Sequence, residues 1–404
     1  MDLKRILLVQ VDSRALDSQD NPLKKGDASG GTDISMSAAS YASLSSALNH
    51  HYCRHHGYDY LLVQPTIDVE RVLAALQQGE LTPGSSSSIG GNGISAQAGR
   101  AKALPGYDNA TTDARQAIGT FHAGLRQFRS VSWAKLPTLL YLSLQLGKHY
   151  DLIWYVDSDM AISDRPTGRS IREKLEVIQN ASKCLGPART WPCINWGPHS
   201  VMDSPMLLFP NSPFGDTEPC AGTFMFRPAL ASSMLLEWWN VDMPEKNFGL
   251  MHEQDALWNL TSESRVSELR LRSPGERVSN ASLSRQTVTL VQEFQFPQKN
   301  DKKQMCVDGK QWLCHLITTD HEYRAPWFRE MLEKAGFTQP HFRAAIRHIK
   351  HSLSLKLDML DAALLVHKHA QELRTNMLDS GSVRLDLLPK GLKLLPEERK
   401  FIMV

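Results

Sequence analysis

Six cysteines occur in this chain, at positions 53, 184, 193, 220, 306 and 314, and none forms a Cys-x-x-Cys pair. That argues against a structural zinc site of the usual spacing. Charge of one sign is also lacking. Lys and Arg number 45 against 43 Asp and Glu, a formal net charge of +2, so no overall field points to nucleic acid or to an anionic membrane. A long hydrophobic run is missing near the N-terminus, where the apolar stretch after Arg5 ends at Asp12. That is too short for a signal-peptide core or a membrane anchor, and it reads as a first β-strand. The expectation is a soluble chain, or one whose leader is absent from this sequence, with no membrane anchor seen. The 15 histidines are scattered rather than tracted, and there is no internal repeat.

What is present is an ordinary globular composition, 42% hydrophobic and 22% charged over 404 residues. That length suits one large α/β domain or two modest ones, with a sizeable core. Cys184 with Cys193, and Cys306 with Cys314, are close enough in sequence to be bridged across loops, or all four are free thiols in a reducing compartment. Sequons at Asn109, Asn180, Asn259 and Asn280 become acceptors only in the secretory pathway, and they lean towards its lumen.

Residues 5–11 have a buried-strand pattern, and residues 15–37 are polar and Gly-rich. The spacing predicts a helix from Ser37 to His56 ended by Gly57, then a strand over Tyr58 to Val63. This βαβ opening is the signature of a parallel sheet covered by helices. Residues 79–120 read as a flexible Gly/Ser-rich insertion. A helix follows over Ser132 to Leu146, ended by Gly147, and then the continuous apolar run Leu152 to Val156, which looks like a central strand buried on both faces. Polar, Pro-rich loops fill 186–219. An apolar segment runs from Gly222 to Phe226, with helices from Ala229 to Trp239 and from Glu253 to Leu260. Residues 287–296 suggest a late strand, and 326–377 are mostly helical. The domain organisation expected is one catalytic unit over 1–325 and a helical extension over 326–404.

Asp157-Ser158-Asp159 directly follows the apolar run. Residues two apart on a strand face the same way, so both carboxylates can serve one ligand. Open α/β sheets bind ligands at the carboxyl ends of their strands. Hard oxygen ligands suit Mg²⁺ or Mn²⁺, which keep positions for water and phosphate oxygens. The Asp-x-Asp triplet alone occurs by chance about once or twice in such a chain, so its placement carries the weight. A solvated pair capping a strand is the plainer alternative.

Trp133-Ala134-Lys135-Leu136-Pro137, followed by Ile153-Trp154-Tyr155-Val156-Asp157-Ser158-Asp159, resembles the galactosyl/xylosyltransferase family. That family includes fungal α-galactosyl- and mannosyltransferases and plant xyloglucan xylosyltransferases. Its other blocks have counterparts in Asn49 to Tyr58, in Ala221 to Arg227 and in His252 to Leu257, in order over about 40–320. Two positions depart from the pattern. His50 stands where the family has Lys, and Cys220 where it has Asn.

The resemblance implies a GT-A fold, a Rossmann-like and mostly parallel sheet flanked by helices, with a C-terminal helical extension. It further implies metal-dependent transfer of a hexose or pentose from a UDP-sugar, or a GDP-sugar, to a glycan or glycoprotein acceptor, with retention and in the Golgi or secretory lumen. On this resemblance Asp157, Asp159 and His315 (His321 being the other option) hold Mn²⁺ or Mg²⁺. Val11, Asp12, Ser13, Lys135, Asp157 and Ser158 contact the donor nucleotide, while Glu253 and Gln254 lie below the sugar ring and stabilise charge. Trp191, Trp196 and Trp327 stack on acceptor sugars or are core. A haloacid-dehalogenase-type phosphatase also places Asp-x-Asp after an apolar strand, but near its domain start and with Thr or Val next, whereas Met160 follows here mid-chain. A non-catalytic nucleotide-sugar-binding protein is the third option.

Overall fold

The computed structural model describes residues 5–16, 34–77, 118–162, 170–173, 207–212, 215–241, 252–261, 288–291, 313–316 and 321–379. Strand β1 is Ile6–Val11, helix α1 Tyr41–His56, strand β2 Asp59–Thr66 and helix α2 Val69–Gln77. After them come the hairpin β3 (Ile118–His122) and β4 (Gln127–Ser130), helix α3 (Lys135–Leu146) and strands β5 (Leu152–Val156) and β6 (Met160–Ile162). Strands β7 (Leu207–Ser212), β8 (Gly215–Pro219) and β9 (Thr223–Phe226) lead to helices α4 (Pro228–Trp239) and α5 (His252–Thr261). The chain then gives β10 (Val288–Val291), β11 (Leu313–His315), α6 (His321–Lys334), α7 (Gln339–Ser352), β12 (Ser354–Asp358) and α8 (Met359–Asp379).

The fold is mixed α/β around one sheet of order β10-β7-β9-β5-β1-β2-β12, with β8 paired to β7. Pairings β5–β1, β1–β2, β2–β12 and β10–β7 are parallel, and β9 runs antiparallel to both β5 and β7. Side chains of β5 alternate between two cores. Leu152, Trp154 and Val156 join the cluster under α1, α6 and α7, and Ile153 and Tyr155 join the one under α3, α4, α5 and α8. Burial on both faces explains the unbroken apolar run. The indole N–H of Trp154 is satisfied by Thr223 Oγ1 at 2.8 Å. The chain goes from β1 through α1 to β2 on one side, then returns to β5 on the other. The sheet's topological switch thus lies between β1 and β5.

Gly57 ends α1 at φ +69°, a left-handed cap that costs glycine nothing. Gly147 does not work that way. Its φ is −56°, and a Cβ there would meet Pro228 Cβ at 2.9 Å, so it is glycine because α4 starts against it. Strand β12 lies inside the stretch expected to be mostly helical, pairing in parallel with β2. Residues 79–117, three of the four sequons (109, 180 and 280) and Cys184, Cys193 and Cys306 lie outside the described residues. Cys53 and Cys220 are buried free thiols. No helix among the described residues is long and apolar enough to cross a membrane.

Two buried histidines give a pH-dependent stability. His122 stacks on Trp239 and shares a 3.1 Å hydrogen bond with Asn240 Oδ1. Burial and the Arg129 charge push it down to about 3. His50 is pushed down to about 4 by burial, then by His348 and Arg54. Both are neutral in the folded chain but take a proton near pH 6.5 when unfolded. The unfolded state therefore binds more protons below that pH, and stability falls as pH falls. Between pH 7 and pH 5, His122 alone is expected to remove about 2 kcal/mol. Urea midpoints at the two pH values check this, and His122→Asn should flatten the slope.

Candidate active site

The carboxyl ends of β1 and β5 carry the two acidic exits expected there. Asp157 donates its N–H to Gly222 O (2.8 Å), and Met160 N–H donates to Asp157 O (3.1 Å), which turns the chain tightly into β6. Strand β6 pairs antiparallel with β11, setting His315 opposite Met160. Leu316 N–H then donates to Asp159 O at 3.0 Å. This two-stranded ribbon brings a histidine from late in the chain onto the Asp-Ser-Asp turn.

The ligating atoms of Asp157, Asp159 and His315 all lie within 4.8 Å of one another. His315 Nε2 is 3.3 Å from Asp159 Oδ1. Its other ring nitrogen lies 3.8 Å from Cys220 Sγ, leaving Nε2 for the carboxylates. Gly222 makes room for the ring, because a Cβ there would meet His315 Cε1 at 2.6 Å. An octahedral Mg²⁺-type site separates its ligands by about 3 Å when adjacent and about 4.2 Å when opposite. Two carboxylates and an imidazole at these spacings fit a small divalent cation after shifts of about an ångström.

Lys135, at the start of α3, is buried beneath the turn. Its Nζ lies 3.1 Å from Glu253 Oε1, 3.1 Å from Ala221 O and 3.5 Å from Asp157 Oδ1. It also sits over the Tyr155 ring, and the Tyr155 hydroxyl donates to Asp157 Oδ1. Burial works against the ammonium, but Asp157 and Glu253 outweigh it and hold the Lys135 pKa above its ordinary value. On the β1 side, Arg14 donates from Nε to Asp12 Oδ1 (2.9 Å) and from a terminal nitrogen to Ser158 Oγ (2.8 Å). Its own N–H closes an Asx-turn on Asp12 at 2.8 Å.

Burial pushes the Asp157 carboxyl up, and the charge of Asp159 adds to the rise. Burial would raise Asp159 too, yet His315 and then Arg324 hold it below its ordinary value. His315, although buried, is pushed up to about 10 by Asp159 and Cys220. The cluster thus sets Asp12, Asp157, Asp159 and Glu253 against Arg14, Lys135, Arg324 and His315, four acids and four bases. A divalent ion must displace the His315 proton to gain that nitrogen.

The structure brings Asp157, Asp159, His315, Lys135 and Glu253 together. Ser158 and Asp12 meet through Arg14. Gln254 supports the site from behind, its Oε1 accepting the Ala221 N–H at 2.6 Å and so fixing the loop that carries Gly222. Val11 is partly buried against the α3-side core, and Ser13 is exposed. His321 opens α6, with its side chain outside the described residues, as are Trp191 and Trp196. Trp327 packs on Phe328 and the α1-side core. Sequence reading missed Arg14, Arg324, Tyr41 and Tyr155. Arg14, two residues beyond Asp12, and Tyr155, two before Asp157, lay close enough to flagged positions to be found.

No family model matches the chain, and no curated protein matches it. Among solved structures it is similar to one described as the crystal structure of a glycosyltransferase involved in the glycosylation of the major capsid of PBCV-1. The identity is 10% and the TM-score 0.36, over 80% of this chain and 98% of that one.

Proposed function

We propose that this protein is a metal-dependent glycosyltransferase that moves a hexose or pentose from a UDP-sugar, or a GDP-sugar, to a glycan or glycoprotein acceptor with retention. The observation that carries this is the convergence of Asp157, Asp159 and His315 at the switch point of a mostly parallel sheet. The motif resemblance over about 40–320, which includes the same Asp157 and Asp159, points the same way. Asp157, Asp159 and His315 would hold Mn²⁺ or Mg²⁺, which supplies charge stabilisation to a departing nucleoside diphosphate. Lys135 and Arg14 fix the two carboxylate exits by their contacts with Asp157 and with Asp12 and Ser158. Glu253, whose Oε1 is already paired with Lys135, contributes negative potential below the donor sugar and favours an oxocarbenium-like centre there. Gln254 holds the loop of Gly222 in place. The purified chain is expected to release UDP from at least one sugar of a UDP-sugar panel when Mn²⁺ is added, and not after chelation. A full panel of UDP- and GDP-sugars with no metal-stimulated release counts against the proposal.

Gly222→Ala tests the cradle. The added methyl forces His315 away from Asp159, so the Mn²⁺ dissociation constant should rise about tenfold, the scale of lost ligand support. The far-ultraviolet spectrum should not change. Titration of Mn²⁺ followed by the paramagnetic signal of the free ion measures this, and an unchanged constant would count against His315 as a ligand.

A further inference from the structure

Arg324 reaches Asp159 Oδ2 with a terminal nitrogen at 3.3 Å, on the carboxylate whose other oxygen meets His315. The same nitrogen lies 3.3 Å from the Tyr41 hydroxyl, and the guanidinium carbon lies 5.1 Å from the Tyr41 ring centroid. Arg14 sits over that same ring at 4.2 Å. One tyrosine at the start of α1 therefore carries two guanidinium groups, one at each acidic exit. Their attachments differ. Arg14 is tied to Asp12 and Ser158, whereas Arg324 leans on a carboxylate that a divalent ion also needs.

A guanidinium and a metal ion on one carboxylate compete, because each must give up charge neutralisation to the other. With an ion bound and His315 neutral, four carboxylates face three fixed cations and two ionic charges, which leaves one positive charge in the cluster. An anion answers that excess, and a planar guanidinium suits phosphate oxygens. We infer that Arg324 is a positioning counter-charge that occupies Asp159 in the metal-free site, yields it when the ion arrives, and turns on its Tyr41 platform to an anionic diphosphate. This rests on the metal-dependent transferase reading above and adds to it a charge relay coupling the ion to the anion.

The relay makes a prediction of opposite sign for the two ligands. In Arg324→Met, Mn²⁺ alone should bind about tenfold more tightly, because a competing cation is gone. UDP at saturating Mn²⁺ should bind about tenfold more weakly, because a charge-assisted phosphate contact is gone. A merely structural arginine gives weakening of both or of neither, and either result overturns the inference. Arg324→Lys covers the case in which the Met variant does not fold. It keeps the charge but loses the planar fork, so UDP should weaken roughly threefold or more while Mn²⁺ alone does not weaken. Unchanged UDP affinity in the Lys variant also overturns the relay. Wild-type protein that binds no Mn²⁺ would instead sink the transferase reading. Wild-type protein that binds Mn²⁺, with variants lacking the opposed shifts, sinks the relay alone.

Discussion

Replacing Asp159 with Asn is expected to lower Mn²⁺-dependent UDP release by about a thousandfold, the scale at which one preorganised charge-stabilising group acts. The substitution removes one of three clustered ligand groups while keeping the backbone bond from Leu316 that joins the turn to β11. It also removes the charge that holds His315 protonated, so the imidazole becomes neutral and Arg324 keeps its contact with Tyr41. Arg324, its side chain 12% exposed, loses its carboxylate contact and keeps only the neutral Tyr41 of the two partners described, so the thermal midpoint should fall by several degrees. Mn²⁺ affinity and UDP release should fall together. Turnover within a few-fold of wild type, with Mn²⁺ still required, would show that the carboxylates are structural and that the ion binds elsewhere.

Much of this site was readable from short-range pattern, and the unread part was contributed from a distance. The run Leu152 to Val156 identified β5 because a strand covered on both faces has no polar side to show, and the two aspartates follow it directly. Gly57 was recognisable because a helix that stops in the left-handed region asks for that residue. Gly147 matched the same rule for a different reason, the close approach of Pro228, which no local pattern displays. Strand β12 escaped because five residues wedged between two helices offer too little alternation, and their pairing with β2 spans nearly 300 residues of chain. Glu253 and Gln254 stand in the first turn of the helix expected from Glu253 to Leu260, which runs from His252 to Thr261. What the sequence did not display is that Gln254 fixes the loop of Gly222 and that Glu253 is paired with Lys135. Arg324 carried no signal, since its partner Asp159 lies on another element.

That buried pairing leads to the largest expected effect on stability. Lys135, with a side chain only 5% exposed, is the one cation in contact with both Asp157 and Glu253 among the described residues. Lys135→Met should destabilise the fold by about 3–5 kcal/mol, the cost of leaving a buried charge without its partner. The sign of the pH dependence separates this from simple loss of packing. Without the ammonium, Glu253 stays buried with its pKa raised above the unfolded value, so the folded state binds the extra proton. The stability deficit of the variant relative to the wild type should then shrink as pH falls from 8 towards 5, against the histidine-driven trend that both proteins share. Adding Glu253→Gln to Lys135→Met removes the stranded charge and should recover most of the loss. Urea unfolding of both single variants and the double variant at the two pH values gives the coupling directly. If Lys135→Met were as stable as wild type at pH 8, the ammonium would not be what neutralises the floor of the site, and Glu253 would have to be neutral there, unable to supply the negative potential assigned to it.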